Sequence, residues 1–130
     1  MSGLDAFAVA LRDPNAIDST APDLSVTLSP SVLAPANNQL VTVTATITVS
    51  DNADPAPAIK LVSITTDDGK HPKREDVQGA EIGTDDRTFS LRAERGEKGA
   101  ERVYTITYRA TDRSGNVAET TAHVVVTGRR

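Results

Sequence analysis

The chain has 130 residues, enough for one domain with a short additional segment, and any core must be built from small parts: aromatic residues are 3% of the composition, Trp is absent, and Val, Ala, Leu and Ile supply most of the apolar set. The formal net charge of -4 is spread along the chain, and the basic clusters, residues 70–74 and the terminal Arg129 and Arg130, do not make the basic face that a phosphate backbone requires, so nucleic acid is not an expected partner. No apolar run approaches the roughly 20 residues that span a bilayer, and the absence of Cys excludes disulfides, thiolate metal sites and cysteine nucleophiles.

Residues 1–22 differ in composition from the rest. A short amphipathic stretch at 4–11 (LDAFAVAL) is followed by Asp13, Pro14 and Asn15 and by Thr20, Ala21 and Pro22, all turn or linker signals. The stretch has no basic residues before it and is too short for a secretory leader. Residues 1–22 are therefore expected to be a linker or N-terminal extension before a domain spanning 23–130, with residues 1–20 packing little against that domain.

Clear alternation begins at Asp23. Leu24, Val26 and Leu28 point one way, giving a first strand over 23–29. Pro30 and Pro35 bracket a break, as where an edge strand kinks or changes sheets. Residues 40–50 (LVTVTATITVS) form the second strand, with Val41, Val43, Ala45, Ile47 and Val49 inward and Thr42, Thr44, Thr46 and Thr48 outward. In the third strand, 59–66, Ile59 and Leu61 compete with Val62 and Ile64 for the inward face, which predicts a bulge. Asp67, Asp68 and Gly69 open a polar loop. Residues 77–82 read as a fourth strand interrupted by Gly79, and 87–94 as a fifth with Phe89, Leu91 and Ala93 inward. Gly96 and Gly99 flank a turn. The sixth strand, 102–111, turns Tyr104, Ile106, Tyr108 and Ala110 inward. A tight turn over 112–116 leads to the seventh, 117–127, with Ala118, Thr120, Ala122, Val124 and Val126 inward.

Seven short strands separated by turn signals predict an all-β fold, an antiparallel sandwich, with a closed barrel as the runner-up. The core is expected around Val43, Ala45, Ile47, Leu91, Tyr104, Ile106 and Val124, in a monomer.

The stretch YTITYRATDRSGNVAETTAHVVV resembles the last two strands of bacterial Ig-like repeats, including hyalin-repeat-like and cadherin-like modules of secreted and surface proteins. SDNADPAP after the second strand resembles the B–C loop of the same families. The resemblance covers roughly residues 20–128 and implies an immunoglobulin-like sandwich of about seven strands. It also implies that Tyr104, in Tyr104-Thr105-Ile106, takes the tyrosine-corner role, its hydroxyl bonding backbone upstream. It implies an extracellular or cell-surface setting, with neighbouring domains of the same polypeptide as partners.

In such a topology the B–C, D–E and F–G loops share one end. They would bring Asp51, Asp54, Asp85, Asp86 and Asp112 to one tip, with Asn52 and Asn116 as neutral oxygen donors. Calcium takes six to eight oxygens of these kinds, so the tip is a candidate for weak calcium binding. The competing reading is that Asp and Asn close turns with their own side chains. No other cofactor is expected.

Catalysis has little support. His71 lies in a polar loop, His123 falls on the outward face of the last strand, and neither has a Ser or Cys partner at a nucleophile elbow. An isopeptide cross-link would need a buried Lys, and Lys60 is the one strand Lys. Phe89, Tyr104 and Tyr108 are assigned inward and Phe7 to the linker, which leaves no platform for stacking sugars. The expected function is a non-catalytic structural or adhesive module of a larger surface protein. The alternative is an accessory domain that binds a protein or glycan ligand beside a secreted enzyme.

Overall fold

A computed structural model describes residues 20–52, 56–66, 72–95 and 101–128. Among these the chain forms eight strands: β1 (Asp23–Ser29), β2 (Val32–Leu33), β3 (Leu40–Ser50), β4 (Ala58–Thr66), β5 (Val77–Gln78), β6 (Thr88–Arg92), β7 (Arg102–Thr111) and β8 (Val117–Val126). They make two four-stranded sheets, ordered β1-β3-β6-β5 and β2-β8-β7-β4. The architecture is all-β, two layers around a shared core.

Alternation of Val, Ile and Ala with Thr drives the long strands, because a period of two sends β-branched apolar side chains to one face and hydroxyls to the other. In β3, Val43 and Ala45 are buried while Thr42, Thr44, Thr46 and Thr48 are exposed. In β7, Tyr104, Ile106, Tyr108 and Ala110 are all buried. With Leu61, Phe89, Leu91, Val124 and Val126 they form the centre of the core. Ile47, expected there, is only partly buried and packs at its margin. It lies near the end of β3, opposite Val26 of the edge strand, where fewer neighbours cover it.

The eighth strand is the departure from the expected seven. After Ser29 the chain passes through Pro30 and Pro35, both preceded by cis peptide bonds, and between them Val32–Leu33 crosses to the other sheet and pairs parallel with β8. The Val125 amide donates to the Ser31 carbonyl at 3.0 Å and the Thr127 amide to that of Leu33 at 3.1 Å. The fourth expected strand is cut to two residues, Val77–Gln78, since Gly79 adopts φ 76, outside the extended region.

The bulge in β4 reconciles its two competing patterns. Pairing with β7 runs Leu61↔Tyr108 and then Ser63↔Thr107, so Val62 is the extra residue. Ile59 and Leu61 are inward before it and Ile64 after it. At the same place the connection from β5 to β6 reaches across from the other sheet. The Gly83 amide donates to the Leu61 carbonyl at 2.8 Å, and the Leu61 amide donates to that of Thr84 at 2.7 Å. Two backbone bonds thus close one side of the sandwich.

Residues 1–19, which carry most of the expected extension, lie outside the described residues, as do 67–71 and 96–100, where the sequence predicts a polar loop and a turn. No described helix is long and apolar enough to cross a membrane.

Candidate functional site

The acidic residues singled out by the loop pattern fall into separate groups. Asp112, at the end of β7, is buried. Its Oδ1 accepts from the amides of Ser114 and Asn116, each at 2.9 Å, and its Oδ2 from the Asn116 side-chain amide at 3.1 Å. The Asp112 amide donates to the Asn116 carbonyl, and Gly115 supplies the positive φ of 90° that the turn needs. Asp112 and Asn116 therefore close the β7–β8 turn on each other.

Asp85 and Asp86 sit in the β5–β6 connection. Asp85 holds Arg87 in a two-pronged pair at 2.7 and 2.9 Å, and that hydrogen bond keeps the guanidinium pKa above its ordinary value. Asp86 accepts from the amides of Glu81 at 2.8 Å and Thr88 at 3.1 Å, so it caps the start of β6. Its carbonyl accepts from the Tyr108 hydroxyl. Burial, and next the nearby Asp86 carboxylate, push Tyr108 up to about 12.

This connection does not reach the tip. The Arg87 carbonyl accepts from Ala45 and the Thr84 carbonyl from Leu61, both mid-strand. Asp112 is four residues beyond Tyr108, about 13 Å along β7, and Asp51 six beyond Ala45, about 20 Å along β3. Asp51 is half-buried and Asn52 exposed at the end of β3; Asp54 lies outside the described residues. Among the described residues, no group of three or more His, Asp or Glu side chains is placed to hold a metal ion.

The most built polar site was not visible in the sequence. Asp76, in the 3-10 turn Arg74–Asp76 before β5, is 3% exposed. Its Oδ1 accepts from Arg92 Nε at 3.1 Å and its Oδ2 from Arg102 Nη1 at 3.2 Å. Arg92 also donates to the carbonyls of Asn38 and Glu75, at 2.7 and 2.8 Å. The Arg102 guanidinium lies 5.8 Å from the Tyr104 ring centroid and 3.7 Å from Glu94. The Tyr104 hydroxyl donates to the Arg92 carbonyl, twelve residues upstream, at 2.8 Å.

Burial works against the charged form of Arg102, but Tyr104 and Asp76 outweigh it and raise its pKa. Burial raises that of Tyr104. The cluster ties the turn before β5 to β6 and β7, three elements that local sequence does not connect. Both carboxylate oxygens of Asp76 are engaged by arginines, while Arg102 Nε is buried without a hydrogen-bond partner.

The remaining candidates are isolated. His123 is exposed on β8 and Lys60 exposed on β4, while His71 lies outside the described residues. Phe89, Tyr104 and Tyr108 are at most 2% exposed, so none can stack on a sugar.

No protein-family model, no curated protein and no solved structure matches this chain.

Proposed function

We propose that this chain is a non-catalytic immunoglobulin-like module, a structural or adhesive unit of a larger extracellular or cell-surface protein. The observation that carries this reading is where its polar chemistry goes. Asp76, Asp85, Asp86 and Asp112 are each bonded to arginines or to turn amides, so they fasten the fold. Support for the immunoglobulin-like assignment comes from strand order. Strands one, two, five and four of a seven-strand scheme opposite three, six and seven is the constant-type arrangement, and β2 adds a short eighth strand beside the last. The Tyr104 bond to upstream backbone is of the tyrosine-corner kind.

A mechanical role has a physical basis in β2 and β8. They are parallel neighbours close to opposite ends of the described chain. Pulling the two ends apart slides one along the other, stressing their bonds together rather than one by one. Single-molecule pulling should give one cooperative rupture. Thr127→Pro, which deletes the donor to the Leu33 carbonyl, should lower the rupture force more than it lowers Tm. Gradual extension without a rupture peak would refute the mechanical reading.

A further inference from the structure

Each sheet has two edges, and the strands at three of the four carry features that limit further pairing, although β2 covers only Val125 and Val126 of β8. β2 and β5 are two residues long, and Pro30 and Pro35 flank β2. β4 is bulged, carries exposed Lys60, and has its Leu61 backbone engaged by Gly83 and Thr84. β1 is different. It runs in unbroken register with β3 from Asp23↔Ser50 to Ser29↔Thr44, with no Pro, Lys or bulge. On its other side no described strand pairs with it. Its inward Leu24 and Val26 are only partly buried, whereas Leu28 is buried.

We infer that β1 pairs antiparallel with β1 of a second copy of this chain, joining two β1-β3-β6-β5 sheets about a twofold axis through Val26. The strand is self-complementary in that register. Val26 meets Val26, Leu24 meets Leu28, and Ser25 meets Thr27. Asp23, the one charge on the strand, meets Ser29, which keeps the two carboxylates at opposite ends of the ladder. The added strand covers the exposed flanks of Leu24 and Val26. A ladder of seven residues falls short of the roughly 1,200 Å² that a stable interface buries, so a single pair is weak. Copies held close together pair far more readily. The inference stands on the edge geometry and does not depend on the proposed function.

The test uses the full chain and sedimentation equilibrium from micromolar to millimolar concentration. Wild type should dimerise with concentration. The pairs Ser25→Lys with Thr27→Lys, and Ser25→Glu with Thr27→Glu, place like charges opposite each other. Both sites are exposed, so both variants should fold, and circular dichroism checks this. Each should be monomeric where wild type is half dimeric, and mixing the two should restore the dimer. Hydrogen exchange of β1 amides should slow as wild-type concentration rises. A wild-type monomer at millimolar concentration, or a dimer that survives in the lysine variant, overturns the inference. So does β1 protection at all concentrations in a monomer, which would mean that another part of the same chain occupies the edge.

Discussion

Two buried aspartates, Asp76 at 3% exposure and Asp112 at 5%, are held in opposite ways. The carboxylate of Asp112 accepts from neutral amides within the next four residues. Asp76 draws its partners from 16 and 26 residues away, and they are guanidinium cations. The first arrangement is a local turn that forms wherever the sequence allows it. The second exists only once the sheets have assembled, and it then joins three elements. Equal burial thus conceals unequal dependence on charge and on the global fold.

The largest break in that comparison should come from Asp76→Ala. It leaves two partly buried arginines without their shared anion, which should cost about 3 kcal/mol in denaturant unfolding. Asp76→Ala combined with Arg102→Ala should cost less than the sum of the two single changes. A loss below about 1 kcal/mol for Asp76→Ala, the level of a surface pair, would equate the cluster with exposed ion pairs.

Asp112→Ala should cost about 1–2 kcal/mol, the range of a lost cap. The sharper contrast is substitution by asparagine at both sites. Asp112→Asn keeps an oxygen for the Ser114 and Asn116 amides, so it should recover most of the loss. Asp76→Asn keeps the shape but removes the charge facing two cations, and should recover little. Equal recovery at both sites, measured by the same unfolding midpoints, would erase the distinction.

A third effect, about 1 kcal/mol, should follow from Tyr108→Phe, which removes the bond to the Asp86 carbonyl. It should also change the alkaline limb. The folded-state pKa is raised to about 12, above the ordinary value of about 10, so the folded state holds the proton more tightly. The resulting stability is complete below pH about 10 and is lost as pH rises from there through about 12. Thermal melts across that window should fall less steeply for Tyr108→Phe than for wild type.

Calcium should have the smallest effect. Asp85, Asp86 and Asp112 are committed to Arg87 and to amides, leaving the end of β3 at Asp51 as the remaining described candidate. Millimolar calcium should move Tm by less than about 1 °C, the shift expected when little ion is bound. A larger rise that a chelator reverses would place an ion at that end.

Much of the fold is legible in the sequence because a period of two is a strong signal over ten residues. The bounds of β3 and β7 follow directly from their Thr–Val and Tyr–Ile alternation. β2 is not legible, since two residues between prolines have no period. Asp76 is not legible because nothing near it signals that Arg92 and Arg102 will arrive. The acidic loops are legible as turns, but their heights are not. Chain order says which end a loop serves, while the bonds from Ala45 to Arg87 and from Leu61 to Thr84 decide how far down the strands it lies.

The extra residue at Val62 also bears on which insertions the domain can absorb. β4 has a strand neighbour on one side only, so one added residue perturbs a single ladder, and the β5–β6 turn engages the backbone beside it. The same insertion between Tyr104 and Ile106 would shift β7 against both β4 and β8 at once. It would also exchange the inward and outward faces of everything downstream to the next turn. Length variation should therefore be tolerated at the margin of this sheet and rejected at its centre, and a scan of single-residue insertions would trace that boundary.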